Sequence, residues 1–224
     1  MTDAGDIRIR PDLPRTSQEH VVEWLRQAIV SRRLHPGDKV RQEEIAELVG
    51  VSIVPVREAM RVLEREGQLT YRPRRGHFVT ELRIEDLEEI YGLRDLLEER
   101  AVRYTMERFD SGMKERVAAS ALECKEAAER RDVLAELAAN RAFHFGLMDA
   151  PGEPHTLEII RKLWDQTEAY RAIYYNVTSE NDATIAAHDR IVAAALDDDV
   201  DLTVELLREH RNRALEVLRE IFRK

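Results

Sequence analysis

The chain has 224 residues, of which 43% are hydrophobic and 35% charged, proportions that favour a folded, helix-rich protein over a disordered one. Its polar start lacks the apolar stretch of a secretory signal, and no run approaches the roughly 18–20 apolar residues that cross a bilayer. We therefore expect a cytoplasmic protein without a membrane partner. Cys124 is the only cysteine, which excludes a disulfide framework and a cysteine-based zinc cluster.

The net charge of −9 is unevenly distributed along the chain. Residues 1–80 hold 14 Lys and Arg against 12 Asp and Glu, whereas residues 81–224 hold 21 against 32. The resulting balances are +2 and −11, so that only the first third of the chain is suited to contact with phosphate groups.

Helix and strand signals follow one another closely in the first 80 residues. Apolar residues at helical spacing predict three helices, which cover 18–33, 43–49 and the stretch from Ser52 to Gly67. Two short extended runs follow, over 69–72 and 77–80, with an arginine-bearing turn between them. Three helices and a two-stranded wing make a winged helix-turn-helix, whose third helix fits the major groove of DNA.

Polar and basic side chains are expected on the outer face of the third helix and on the wing. The helix would present four residues to the base edges: Ser52, Ile53, Arg57 and Arg61. The wing would present four residues to the phosphates or a minor groove: Arg72, Arg74, Arg75 and Gly76. Any one of these arginines is as readily explained as a solvated side chain. The prediction therefore depends on the ordered set of helices, turn and wing.

Three stretches of this region resemble the GntR family signature, namely 34–40 (LHPGDKV), 45–52 (IAELVGVS) and 55–67 (PVREAMRVLEREG). The wing over 72–79 resembles the wing of the same family. The resemblance implies that Ser52, Arg57 and Gly76 contact an operator. Many members have arginine at the position of Ile53, and some have arginine at that of Glu43. Ile53 suits a thymine methyl group instead, so the departures bear on the operator sequence rather than on the binding mode.

From residue 85 onward, strand signals vanish and long amphipathic stretches follow. They predict six helices, near 85–107, 112–130, 133–149, 154–175, 181–197 and 201–223. Because most connections are short, the six helices should form an all-α antiparallel bundle, and the fold is mainly α. The expected division is a flexible N-terminal arm (1–16), the winged helix-turn-helix (17–80), a linker (81–84) and a helical domain (85–224).

Three of the seven histidines fall on separate predicted helices of this bundle. Asn140 and His144 are four residues apart on one helix face, and His188 and His210 lie on the last two helices. Together they would hold zinc, nickel or manganese, with open positions for water or an effector carboxylate. Spacing alone leaves open the alternative that the histidines are unrelated surface or core residues.

The helical region also resembles the FCD ligand-binding domain of the FadR subfamily, in 90–98 (IYGLRDLLE), 140–144 (NRAFH), 187–192 (AHDRIV) and 209–210 (EH). The resemblance implies a metal ion held by Asn140, His144, His188 and His210. The family commonly has aspartate where this chain has Asn140, which offers a carbonyl oxygen without charge. The length of the region favours the six-helix variant of the domain over the longer seven-helix one.

Arg94 has two interpretations. It either forms a salt bridge with Glu98 one helical turn away, or, as the resemblance implies, binds the carboxylate of the effector. Four aromatic residues are candidates either for the pocket or for the core: Trp164, Tyr170, Tyr174 and Tyr175.

These features predict a ligand-responsive DNA-binding transcription regulator and not an enzyme. We expect a homodimer that binds a pseudo-palindromic operator in double-stranded DNA as a repressor and is released by a small carboxylate effector. One alternative is a helical metallohydrolase, suggested by the dipeptide His188-Asp189, although the sequence supplies no second His–Asp arrangement. The other alternative is a regulator whose pocket holds no metal.

Overall fold

The computed structural model describes residues 16–81, 83–149, 151–177 and 181–223. The flexible arm predicted for residues 1–16 lies outside this part of the chain, except for Thr16. The described residues are mainly helical, as the sequence predicts. None of their helices is both long and apolar enough to span a bilayer.

The N-terminal region folds as the predicted winged helix-turn-helix. Its elements in chain order are α1 (Ser17–Val30), β1 (Lys39–Val40), α2 (Gln42–Val49), α3 (Ile53–Arg65), β2 (Leu69–Arg72) and β3 (Gly76–Val79). Helix α1 begins with a capping box, in which Thr16 and Glu19 each accept a hydrogen bond from the other's backbone N–H. Helix α2 ends at Gly50, whose φ of 75° lies in the left-handed region that favours glycine.

The wing is part of a three-stranded antiparallel sheet with the order β1-β3-β2. Strands β2 and β3 pair from Leu69 opposite Val79 to Arg72 opposite Gly76, which confirms the predicted hairpin. Strand β1 adds a third strand on the other side of β3. The sequence analysis did not include β1, because two residues are too short to show the alternating pattern of a strand.

Helix α3 packs against α1 through one apolar stripe. The buried residues of this stripe are Val56, Ala59, Met60 and Leu63. They meet Val21 and Leu25 of α1 in a continuous core. Because α3 is fixed along its inner face, its outer face is left for contact with another molecule.

The C-terminal region contains seven helices, counted over the residues that the structure describes. They are α4 (Ile84–Met106), α5 (Ser111–Arg130), α6 (Val133–Gly146), α7 (Pro154–Gln166), α8 (Glu168–Val177), α9 (Asn181–Leu196) and α10 (Val200–Phe222). The prediction of one helix over 154–175 is therefore wrong, and so is the count of six. Helix α4 packs against α10, α5 against α6, and α9 against α10.

Thr167 marks the break between α7 and α8. Its φ of −102° and ψ of 6° depart from helical values, and its hydroxyl donates to the carbonyl oxygens of Leu163 or Trp164. Such local bonds compete with the backbone hydrogen bonds of a helix. The apolar spacing continues across the break, so the periodicity of the sequence did not indicate it.

Helix α8 connects the two regions of the chain. The hydroxyl of Tyr170 accepts from the backbone N–H of Arg83 at 2.8 Å and donates to the Arg83 carbonyl at 2.7 Å. Ala169 packs against the core of the winged helix-turn-helix, and Val30 of α1 belongs to the same apolar cluster as Tyr170. Helix α8 therefore contacts both the helical region and the winged helix-turn-helix.

Candidate DNA-binding surface and metal centre

The outer face of α3 carries the four residues predicted for base contacts, and all four are exposed: Ser52, Ile53, Arg57 and Arg61. Ser52 is the N-cap of α3, but its hydroxyl makes no capping hydrogen bond and is left available. Arg61 donates to Glu58 at 3.1 Å, whereas Arg57 forms no ion pair with any described residue. Of the two arginines on this face, only Arg61 is paired with a carboxylate, so the guanidinium of Arg57 is the more available one.

Two further apolar side chains of the helix-turn-helix are exposed. Val54 is 65% exposed and Leu48 on α2 is 68% exposed. Both side chains are of the kind that can contact thymine methyl groups in a major groove.

The arginines of the wing differ in their contacts with neighbouring side chains. Arg72 donates to Glu81 at 2.9 Å, and its guanidinium lies 4.7 Å from the centre of the Phe78 ring. Arg74 stands at the tip with a φ of 63°, and Gly76 follows with a φ of 93°. The turn thus places two consecutive exposed arginines, Arg74 and Arg75, beyond the sheet. These two are more available to a phosphate than Arg72.

The three histidines of the helical region come together in space. His144 of α6, His188 of α9 and His210 of α10 have ligand nitrogens that all lie within 4.8 Å of one another. Their ring centres are 5.7 Å apart for His144 and His188, 5.4 Å for His144 and His210, and 4.8 Å for His188 and His210. The structure therefore excludes the alternative of three unrelated histidines, and the cluster could hold a metal ion.

Several polar atoms of this cluster are buried and make no hydrogen bond with any described residue. They are Oδ1 of Asn140 and both ring nitrogens of His188, in side chains that are only 2% exposed. A buried polar group without a partner destabilises a fold by about 1–3 kcal/mol, and such groups are rare in native proteins. A divalent cation would satisfy them. The three histidines fit a metal ion in position and chemistry, and the unpartnered amide oxygen of Asn140, which lines a cavity with His144 and His210, has the chemistry of a further ligand.

The imidazoles are neutral at physiological pH. Burial is the main cause that lowers the pKa of His144 and His188 well below the usual value and the pKa of His210 to about 4. Arg94 and Arg211 also lower the pKa of His144 and His210. A neutral imidazole has a free lone pair, which is the form that binds metal ions. The three histidines can therefore bind a cation without first losing a proton.

Arg94 forms a salt bridge with Glu98, one of its two interpretations, with a distance of 2.6 Å from Nε to Oε1. Both side chains are 4% exposed, so this pair is part of the core rather than of the surface. Glu98 also accepts from the indole N–H of Trp164 at 2.7 Å and from Arg211. These three donors, with Arg94 as the largest favourable influence, lower the pKa of Glu98 in spite of its burial.

A cavity of about 30 Å³ lies between Arg94 and the histidine cluster. Its wall includes Asn140, His144, His210 and three of the four aromatic candidates, Trp164, Tyr174 and Tyr175. A second, more open cavity of about 180 Å³ shares Tyr174 and His210 with it. Tyr170 does not line either cavity but lies at the contact with Arg83.

Two further arginines line the inner cavity, Arg171 of α8 and Arg211 of α10. Sequence reasoning missed both of them. Arg211 directly follows His210, which was the only signal that could have indicated it. Arg171 had no such signal, because its facing depends on the helix break at Thr167.

Two family models match this chain. The model described as the FCD domain matches residues 89–213, and the model described as bacterial regulatory proteins, gntR family, matches residues 17–79. The chain belongs to the GntR family and carries an FCD domain.

Curated relatives support the assignment of this chain to the GntR family. The chain is 26% identical over 198 residues to the uncharacterized HTH-type transcriptional regulator YdhC of Bacillus subtilis, covering 88% of each chain. It is 25% identical over 196 residues to the HTH-type transcriptional repressor GlaR of Escherichia coli, covering 84% of this chain and 89% of the relative. The chain is therefore a transcriptional regulator that binds DNA, and not an enzyme.

Solved structures show the same fold. Escherichia coli McbR/YncC superposes with a TM-score of 0.79 at 23% identity, covering 93% of this chain and 99% of that one. A GntR transcriptional regulator from Rhodococcus sp. RHA1 has a TM-score of 0.72 at 22% identity, covering 90% and 96%. The arrangement of the two regions in the GntR regulator is thus shared with regulators of distant sequence.

The geometry agrees with a regulator rather than with the metallohydrolase alternative. The side chain of His188 is buried, whereas that of the adjacent Asp189 is exposed. Neighbouring residues of a helix point about 100° apart, so the two side chains do not converge on one ion.

Proposed function

We propose that this GntR regulator is a repressor that binds a pseudo-palindromic operator as a homodimer and is released by a small carboxylate. The carboxylate would bind in the helical domain beside a divalent ion of zinc, nickel or manganese. The observation that carries the proposal is the cluster of His144, His188 and the half-buried His210, which adjoins a cavity lined by Asn140 and three arginines.

A divalent ion would add positive charge to a cluster whose ligands are all neutral. His144, His188 and His210 would bind it through ring nitrogens, and Asn140 through Oδ1. When bound, such an ion has open positions that accept an oxygen of water or of a carboxylate. Arg94, which lines the cavity, would pair with the same carboxylate.

The DNA-binding domain, which we take as 17–80, would place α3 in the major groove. Ser52, Ile53 and Arg57 would contact base edges, and the accessible Val54 would add an apolar contact. One such helix reads only a few base pairs. A homodimer would read two half-sites about one turn of DNA apart, which favours a pseudo-palindromic operator.

We expect replacement of both tip arginines, Arg74 and Arg75, by alanine to weaken binding to all DNA sequences by a similar factor. Each forms no ion pair with a described residue and can neutralise a phosphate. The slope of log affinity against log salt should fall by about one unit per lost contact. Fluorescence anisotropy over a salt series measures this slope. Arg72→Ala is the matched control and should change the slope less, because Arg72 already pairs with Glu81. An unchanged slope in the double variant would contradict a phosphate-binding wing.

Two connections would transmit a structural change from the effector site to the DNA-binding domain. The linker, taken as 81–84, leads directly into α4, the helix that carries Arg94. Helix α8 carries cavity residues on one side and contacts Arg83 through Tyr170 on the other. Movement of either helix would rotate the recognition helices away from the half-site spacing. The effector shifts this equilibrium by its differential affinity for the two arrangements, typically 1–3 kcal/mol.

We expect Arg94→Gln to abolish the response to effector while leaving effector-free DNA binding intact. The probe is the compound that most raises the melting temperature of zinc-loaded wild-type protein in a panel of small carboxylates. In the wild type it should weaken operator binding by about 5- to 150-fold. Arg208→Gln is the matched control, because Arg208 pairs with the neighbouring Asp95 and Glu99 but does not line the inner cavity.

A variant Arg94→Gln that still released DNA at the wild-type effector concentration would make Arg94 a purely structural partner of Glu98. The absence of any carboxylate that alters DNA binding by the wild type would overturn the proposed function itself.

A further inference from the structure

Arg171 is a buried cation without an anionic partner in the described part of the chain. It is 8% exposed, and its Nη atoms donate only to neutral oxygens, the Thr167 hydroxyl at 2.7 Å and the Trp164 carbonyl at 2.9 Å. Its Nε is buried and has no acceptor among the described residues. Burial, followed by repulsion from Arg94, lowers its pKa to about 10, so the guanidinium is still charged at neutral pH.

The other charges around the inner cavity do not compensate Arg171. Arg94 and Arg211 also line the cavity, and they are balanced by Glu98 and Asp95. A divalent ion bound by neutral imidazoles and the neutral amide of Asn140 would keep both of its positive charges. Isolated charges are strongly disfavoured in a protein interior unless they are paired. Together, Arg171 and such an ion would favour a ligand that carries more than one negative charge.

The positions of Arg94 and Arg171 indicate how such charges would be arranged. Both guanidinium groups lie against the indole of Trp164, with their central carbons 4.2 Å and 4.4 Å from its ring centre. The two carbons are thus at most about 8.6 Å apart, the sum of these distances. A molecule that reaches both must carry its acidic groups on a short spacer.

We propose that Arg171 is a second anion-binding residue of the effector site and that the effector is a short molecule with two acidic groups. One group would bind at Arg94 beside the metal ion, and the other would pair with Arg171. This inference rests on the proposed function, because it assumes that the cavity binds the effector.

The place of Arg171 on α8 gives the second acidic group a role in signalling. Its neighbour Tyr170 holds the backbone of Arg83 immediately before α4. The inner cavity is small, about 30 Å³, so a ligand with two acidic groups must displace part of the wall. Displacement at Arg171 would move α8 at the point where it contacts the DNA-binding region.

Matched pairs of acids test this proposal. Calorimetric titration of full-length, zinc-loaded protein would compare succinate with butyrate, and malonate with propionate, since each pair differs in one acidic group. We expect the wild type to bind the diacid roughly 10- to 100-fold more tightly than its partner, the range typical of one charge-assisted hydrogen-bonded contact. The variant Arg171→Gln should bind both members of a pair equally, with unchanged affinity for the monoacid and unchanged zinc content.

The conservative variant Arg171→Lys retains the charge and should retain a preference for the diacid, which separates loss of charge from loss of fold. Equal binding of mono- and diacids by the wild type would overturn the proposal, as would a full preference for the diacid in Arg171→Gln. Monoacid binding with no role for Arg171 would leave the proposed function intact. Failure of all four acids to bind the wild type would overturn the proposal of a short diacid effector, whereas the proposed function is overturned only if no carboxylate of the wider panel alters DNA binding.

Discussion

Replacing Arg57 with alanine should lower the affinity of this regulator for its operator by about 5- to 150-fold. Arg57 is exposed on the outer face of α3 and forms no ion pair with a described residue, so its guanidinium is available for a bidentate contact with a guanine. One such contact contributes about 1–3 kcal/mol of discrimination. The loss should be accompanied by relaxed base preference at one position of each half-site.

The measurement begins with selection of preferred sites from random double-stranded DNA by the wild-type protein. Affinities of the wild type and of Arg57→Ala would then be compared on the selected site and on single-base variants of it. Arg65→Ala is the matched control, because Arg65 is exposed at the opposite end of the same helix. If Arg57→Ala kept wild-type affinity and base preference, α3 would not be the recognition helix.

The variant His188→Ala should lose nearly all bound metal. His188 offers two buried nitrogens without a partner among the described residues, and its ring lies 4.8 Å from that of His210. In the wild type, the ion would tie α6, α9 and α10 together and raise the melting temperature relative to protein in chelator. At a metal concentration about 100 times the dissociation constant, this stabilisation is about 2.7 kcal/mol. In His188→Ala the difference between metal-loaded and chelator-treated protein should vanish.

Elemental analysis after incubation with zinc, nickel or manganese measures occupancy, and calorimetric melting measures stability. His155→Ala is the matched control, because His155 is exposed on α7 and does not belong to the cluster. Asn140→Asp should bind metal more tightly, since it replaces a neutral oxygen ligand by an anionic one. Wild-type protein that retained almost no metal after desalting would contradict the metal site.

The sequence by itself determined the fold of the DNA-binding region. Apolar spacing, Gly50 after α2 and the arginine-bearing turn before Gly76 act over a few residues and depend little on the rest of the chain. For the same reason the exposure of Arg57 was predictable, because it lies off the apolar stripe of its own helix. It was not predictable that Arg72 pairs with Glu81, because that contact joins residues on opposite sides of the hairpin.

In the helical region, the sequence determined which residues were candidates, and the tertiary structure decided which of them meet. Spacing placed Asn140 and His144 on one helix face, but only the packing of α6, α9 and α10 brings His144 within reach of His188 and His210. Arg171 faces the cavity because the helix breaks at Thr167. The Thr167 hydroxyl bonds to the preceding turn, and such a bond does not change the spacing of apolar residues in the sequence. Local rules act over one or two helical turns, whereas the charge around a buried site depends on helix orientations that arise only from packing.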